Sequence, residues 1–464
     1  MARLYTIGEI IAATGGRAEG LTGEGVCSIS IDSREIAPEG LFVAIRGDRF
    51  DGHEFVGQAL QNGAVAALVS QEKAAGLGER LIVVPDALEG LRDLARAARA
   101  RSDARIVAVT GSAGKTTTKE AIRAVLATAG ETHASIRSFN NHWGVPLTLA
   151  RMPQEARFGV FEIGMNHAGE ITPLVGLVRP HVAVITTVAA AHLEFFPSVE
   201  AIARAKAEIL LGLEPGGTAV FNADHPYLPI LRQAAVDAGV AQIVTYGYAP
   251  DADWRIEAVE MAETETVARL RHGEEAISLT LGVKGRHMVA NAVAALIVGE
   301  LFGVPRADAV KALEAFGAPE GRGLALRLGN GQHPLVLIDE SYNANGASMV
   351  AALDVFAGQR APRGKKVLVL GDMLELGAES PALHRALKQS VLEAGADRIY
   401  LVGPNMAALG ETLGEGAVSG RAETADGIAQ IVLDELDYGD AIMIKGSNGV
   451  RLSGLVKAIR DRFE

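Results

Sequence analysis

Residues 105–120 read Arg-Ile-Val-Ala-Val-Thr-Gly-Ser-Ala-Gly-Lys-Thr-Thr-Thr-Lys-Glu. The apolar run 106–109 has the composition of a buried strand. Small residues follow, then Gly114-Lys115-Thr116, and the pattern from 120 to 129 is helical. Strand, glycine loop, helix is the setting of a phosphate-binding loop. There, backbone N–H groups of the loop and the helix N-terminus converge on phosphate oxygens. In this stretch those positions are Gly111, Ser112, Ala113, Gly114, Lys115, Thr116 and Thr117. Lys115 places a cation on the outer phosphates, and the Thr116 hydroxyl is a ligand for Mg²⁺. The usual pattern has its first glycine where Val109 stands; here the glycine is Gly111. The loop predicts a nucleoside triphosphate and leaves the reaction open.

The rest of the composition narrows the class. A chain of 464 residues exceeds what one core supports, so two to four domains are expected. Hydrophobic residues at 48% and charged residues at 22% are ordinary for a globular protein. The net charge of −12 argues against a nucleic-acid partner, so a phosphate-bearing substrate must meet a local basic site. The single cysteine, Cys27, excludes an internal disulfide and a thiolate metal cluster. No signal-peptide pattern is read at the start, and no apolar run reaches the roughly 18 residues of a membrane span. A cytoplasmic protein is expected.

Taken in order, the chain divides into three. Residues 1–102 carry strands expected at 26–34, 40–45, 65–70 and 80–85, with helices at 53–62 and 88–101. Residues 103–317 continue from the loop with strands at 158–163, 182–188, 218–221 and 242–246 separated by helices, a βαβ pattern that predicts a mainly parallel sheet. Between 254 and 281 the pattern becomes strand alternation without helices, read as an antiparallel patch; helices at 287–301 and 306–316 follow. Residues 318–464 repeat the alternation, with strands at 335–339, 366–370, 398–402 and 440–444 and helices such as 348–356 and 449–463. The expected fold class is therefore α/β in three domains. These are a small N-terminal α/β unit, a central phosphate-loop domain with a mainly parallel sheet, and a Rossmann-like C-terminal α/β unit. In open sheets of this kind ligands sit beyond the carboxyl ends of strands.

Several polar residues fall at such ends. Glu162 closes the strand 158–163, where an anionic oxygen beside a phosphate loop suits Mg²⁺; a charged strand terminus in solvent is the alternative. His192 follows the strand 182–188, and Lys206 sits in the helical stretch Ala-Arg-Ala-Lys-Ala-Glu-Ile. Alone, each reads as an ordinary loop histidine and a solvated lysine. Asn140 and Asn141 pair two amides suited to sugar or phosphate recognition, or to turn chemistry. His287 and Asn291 lie one helical turn apart on one face, fit for a purine edge or for a helix start. The stretches 339–345 (Asp-Glu-Ser-Tyr-Asn-Ala-Asn) and 371–377 (Gly-Asp-Met-Leu-Glu-Leu-Gly) end consecutive strands of the third unit and suggest one site facing the phosphate loop.

With these residues in place, the chain resembles the Mur ligase family of ATP-dependent amide-bond-forming enzymes over its whole length. Thr-Gly-Ser-Ala-Gly-Lys-Thr-Thr looks like that family's own phosphate loop, which accounts for Val109. Stretches 140–146, 162–166, 339–345 and 371–377 are most similar to the branch that joins D-alanyl-D-alanine to a UDP-N-acetylmuramoyl-tripeptide. No Asp-Asn-Pro-Arg motif of the diaminopimelate-adding branch is present. The resemblance implies ATP, two Mg²⁺ ions and those two small-molecule substrates, in a protein read as a monomer. It implies that Lys115, Glu162, His192 and Lys206 are catalytic. Thr116 and Glu162 would hold one Mg²⁺, and His192 with a carbamylated Lys206 the other. His287 and Asn291 would lie at the adenine, with Tyr342 and Asn343 on its other side. Arg322 and Asp339 would reach the ribose and phosphates. Ser33 and Arg34 would contact the uridine diphosphate end, and Asn140 and Asn141 the substrate. Two other classes stay open on the residues: a phosphate-loop kinase or NTP-driven switch, and a binding protein with a degenerate ATPase. Intact Gly114-Lys115-Thr116 and Glu162 argue against the latter.

Overall fold

The computed structural model describes all residues except 1–2, 22, 48, 137, 263–264, 330 and 415. The strand Arg105–Thr110 lies inside a nine-stranded sheet. It pairs in parallel with Phe158–Glu162 on one side and Val182–Ile185 on the other. Thr218–Asn222 and Gln242–Gly247 extend the parallel run, and Thr132–Ala134 closes the opposite edge. The middles of these strands are apolar because both faces of the sheet are covered. Val107 and Val109 enter one core with the helices Lys115–Ala127 and Arg286–Leu301. Ile106 and Ala108 enter the other, with Ile171–Val178 and Val199–Ala207. Trp254–Met261, Thr266–His272 and Glu275–Leu281 form the antiparallel extension read from the alternation.

Two further sheets flank this one. The amino-terminal sheet has five strands in the order Arg17–Glu19, Leu81–Val84, Ala64–Ser70, Gly40–Val43, Ser28–Ser30, parallel except for the first pair. The carboxyl-terminal sheet has six, in the order Leu324–Leu328, Leu335–Glu340, Ala441–Lys445, Lys366–Gly371, Arg398–Val402, Gly420–Ala422. Only its first pair is antiparallel. The three-unit α/β architecture is as the alternation predicts.

The structure departs from, or adds to, the sequence reading in several local details. The strand expected over 26–34 is two short ones, Gly25–Val26 and Ser28–Ser30, which pair in different sheets. The helix expected from residue 120 begins at Lys115, because the glycine loop itself supplies its first turn. The helix Ile7–Thr14, closed by a capping box between Thr6 and Glu9, was not read from the sequence. The strands carrying 339–345 and 371–377 are not neighbours: Ala441–Lys445 lies between them.

Candidate active site

A cleft of about 450 Å³ opens where the carboxyl ends of the central strands face the carboxyl-terminal sheet. Its floor is the glycine loop. Gly111 (φ 151°) and Gly114 (φ 79°) carry backbone conformations that side chains rarely adopt. A Cβ on Gly111 would stand 1.9 Å from Thr186 Oγ1, and one on Gly114 2.7 Å from Asn291 Oδ1. The loop is fixed by its neighbours. Ser112 N–H donates to the Thr187 carbonyl (2.8 Å) and Ser112 Oγ to the Ala189 carbonyl (3.0 Å). Thr186 Oγ1 donates to the Ala113 carbonyl at 2.5 Å. The residues expected to extend the strand Val182–Ile185 therefore clamp the loop instead.

Lys115 Nζ donates to the Gly111 carbonyl at 2.8 Å, the position a lysine holds over an open loop. Burial lowers its ammonium pKa and Arg322 adds to the fall, with Glu162 opposing. Thr116 Oγ1 donates to Glu162 Oε2 at 2.7 Å, and Asn140 Nδ2 to Glu162 Oε1 at 2.7 Å. Glu162 is thus a fully buried carboxylate with both oxygens engaged by the loop and by Asn140. Hydroxyl and carboxylate oxygen side by side form a hard donor set that fits Mg²⁺. Among the described residues no group of three or more His, Cys, Asp or Glu is gathered. A Mg²⁺ ion held by so few protein ligands keeps positions for phosphate and water, its usual arrangement in phosphate-transfer sites.

Lys206 is 2% exposed and does not line the cleft. Its side chain makes no hydrogen bond or ion pair among the described residues. Burial, reinforced by the Lys115 charge, pushes its pKa well below the lysine range. His192 does line the cleft, and its Nδ1 donates to Glu375 Oε2 of the carboxyl-terminal domain.

The far wall comes from that domain and from the helix Arg286–Leu301. His287, Asn291, Arg322, Tyr342 and Asn343 all line the cleft, with the Arg322 guanidinium 4.5 Å over the Tyr342 ring. Asn291 also accepts from Thr118 Oγ1 at 3.1 Å, so part of its amide is spent on the loop helix. Further links cross between these domains, among them Asn345 Nδ2 to the Ser112 carbonyl (3.0 Å) and Arg322 to Ser138 Oγ (3.1 Å).

Other expected residues lie elsewhere. Asp339 is buried and does not line the cleft; it accepts from Gly321 N–H, Ser341 N–H and Ser341 Oγ, holding the turns that present Arg322 and Tyr342. Asn141 caps the next helix through Gly144 N–H (2.9 Å). In the amino-terminal domain, buried Ser33 donates to Gln58 Oε1, and exposed Arg34 pairs with Asp32. Neither lines the cleft, nor the second cavity of about 660 Å³, whose wall includes Asp32 and Glu35. Asp372 is turned inward to Asn405 and Met406 N–H groups. The sequence reading passed over Ser138 and Lys445. Lys445 is 1% exposed, ends the strand inserted between the two polar loops, and bonds Glu340 (3.2 Å) and the Asn343 carbonyl (3.1 Å).

Comparison with known proteins follows the same three units. The chain matches the Mur ligase family, catalytic domain over residues 26–99, the Mur ligase middle domain over 109–299, and the Mur ligase, glutamate ligase domain over 327–448. The chain belongs to the Mur ligase family. Among Mur ligases it is 36% identical over 439 residues to UDP-N-acetylmuramoyl-tripeptide–D-alanyl-D-alanine ligase of Bacillus subtilis, covering 92% of each chain. It is 36% identical over 442 residues to the enzyme of that name from Escherichia coli, covering 94% of each. Its fold is similar to that of MurF from Acinetobacter baumannii, with a TM-score of 0.85 at 29% identity over 98% of this chain and 99% of that one. It is also similar to MurF ligase from Thermotoga maritima in complex with ADP, with a TM-score of 0.77 at 26% identity over 94% and 97%.

Proposed function

We propose that this Mur ligase joins D-alanyl-D-alanine to UDP-N-acetylmuramoyl-tripeptide at the expense of ATP, as a step of peptidoglycan precursor synthesis. The observation that carries the reading is likeness along the full length to ligases of that name. It is supported by a cleft in which a phosphate loop faces polar loops of a separate domain. The carboxylate of the tripeptide attacks the γ-phosphorus of ATP, ADP leaves, and an acyl phosphate forms. The amine of the dipeptide then attacks the acyl carbon, loses a proton, and phosphate departs.

The first step brings two anions together, so cationic and N–H groups dominate it. Loop N–H groups of 112–117 cradle the phosphates, while Lys115 and Arg322 offset charge on the transferring group. Thr116 and Glu162 would hold Mg²⁺, and His192 with Lys206 a second ion. Bound there, Mg²⁺ neutralises phosphate oxygens. Lys206 suits the second position as a carbamate. A free ammonium repels a metal, while addition of CO₂ to the neutral amine turns it into an anionic oxygen donor, and its surroundings favour that neutral amine. His287, Asn291, Tyr342 and Asn343 enclose the base, and the amino-terminal domain receives the uridine diphosphate end. The domain limits 1–102, 103–317 and 318–464 follow from this division of labour. The protein is read as a monomer, and no described helix is long and apolar enough to cross a membrane. The nucleotide substrates point to the cytoplasm.

The test is ADP release by the purified enzyme with each substrate omitted in turn. Release should require both the UDP-tripeptide and D-alanyl-D-alanine, and Lys115→Ala should lose at least a hundredfold in kcat. Equal release without the dipeptide would make the protein a kinase or a switch.

A further inference from the structure

His192 lies after the strand Val182–Ile185, and Glu375 lies after the strand Lys366–Gly371 of the carboxyl-terminal sheet. They are 183 residues apart in sequence, yet the His192 imidazole and the Glu375 carboxylate share a short hydrogen bond. The main chains meet beside it: Glu194 N–H donates to the Glu375 carbonyl at 3.1 Å. A Cβ built on Gly377 would come within 3.3 Å of Glu194 Cα, so the two loops are in close backbone contact. His192 (φ 58°) and Glu375 (φ 61°) both hold left-handed backbone, which is unfavourable for a non-glycine residue. Such strain persists where the surrounding structure over-determines it, and it clusters at functional sites.

The imidazole geometry gives the contact a consequence. A carboxylate oxygen only accepts, so the Nδ1 facing Glu375 carries a proton, and in a neutral imidazole Nε2 is then the nitrogen that keeps the lone pair. Nε2 has no hydrogen bond among the described residues, while the side chain lines the cleft. A carboxylate behind a ligating histidine fixes tautomer and ring orientation.

We infer that Glu375 is a positioning residue of the ligation site. Through His192 Nδ1–H it sets the tautomer and orientation that present Nε2 to the cleft. Because Glu375 arrives on the carboxyl-terminal domain, that presentation is complete only when the domains are docked. This rests on the reading of the cleft given under Proposed function. It adds that domain docking prepares a central-domain side chain as well as delivering the second substrate.

The experiment is ¹⁵N NMR of histidine-labelled full-length enzyme without substrates, with His192→Gln to assign the resonance. Wild type should show protonated Nδ1 and bare Nε2 at His192. Glu375→Ala should show a mixture of tautomers, and Glu375→Gln, whose amide oxygen still accepts, should keep the wild-type pattern. In turnover, Glu375→Ala should lower kcat 10- to 100-fold with KM for ATP within threefold, and Glu375→Gln should recover most of the loss. A wild-type tautomer pattern in Glu375→Ala would overturn the inference, as would a kcat within twofold of wild type. If Glu375→Ala does not fold, Glu375→Leu read by the same two measurements takes its place. The NMR arm needs no catalysis. Failure of the ligation reading would appear instead as wild-type ADP release independent of the dipeptide.

Discussion

Lys206 and His225 show what burial does to a single titratable group. Lys206 sits in a stretch whose alternating alanines read as a solvated helix face. Its burial comes from the elements packed around the helix Val199–Ala207, which no local pattern encodes. Burial, reinforced by the Lys115 charge, pushes its pKa well down, which favours the neutral amine that can add CO₂. In ¹³C-bicarbonate, wild type should show a protein carbamate resonance that Lys206→Arg lacks; its absence from wild type would return Lys206 to a plain buried lysine. His225 is 9% exposed, and neither ring nitrogen has a hydrogen-bond partner among the described residues. Burial lowers its pKa to about 4. The unfolded chain therefore binds the proton first, and folding stability falls as pH drops from about 6.5 towards 4. At pH 5 this costs about 2 kcal/mol relative to pH 8. His225→Leu should remove that part of the acid sensitivity in urea unfolding at the two pH values. An unchanged difference would show that the ring is already compensated.

At the scale of elements, the phosphate loop was legible because its chemistry is local: strand, glycines, lysine and helix are contiguous. The order of strands was not. Residues 339–345 and 371–377 follow successive strands in sequence, but the last strand of the chain, Ala441–Lys445, inserts between them. That crossover is decided by packing of both faces of the sheet, so Lys445 could not be assigned from its neighbours. It now holds the Glu340 carboxylate and the Asn343 carbonyl, the turn that brings Tyr342 and Asn343 to the cleft. Lys445→Met leaves the partly buried Glu340 without its cation and should cost about 1–3 kcal/mol of stability, with weaker binding of a non-hydrolysable ATP analogue. Adding Glu340→Gln should restore much of the stability. Calorimetric titration and unfolding check both; a single variant as stable and as tight as wild type would remove Lys445 from this role.

At the scale of the whole molecule, periodicity was enough to read three α/β units and their order, because each buries its own core. The juxtaposition of units was not readable. Asn345 with Ser112 and Arg322 with Ser138 are 233 and 184 residues apart. Asp339 and Asn141, expected at ligands, hold turns beside the cleft and do not line it. The motif residue and the residue that touches the cleft are separate where a turn needs its own acceptor. What the docked arrangement does allow is one cleft in which a carboxylate is activated on one domain and an amine arrives from another. The central claim is that activation passes through the carboxylate oxygen. With ¹⁸O in the terminal carboxylate of the UDP-tripeptide, turnover with D-alanyl-D-alanine should release inorganic phosphate carrying one ¹⁸O atom, since the oxygen that attacks phosphorus leaves with it. Released phosphate free of ¹⁸O, with the label retained in the peptide product, would contradict the account.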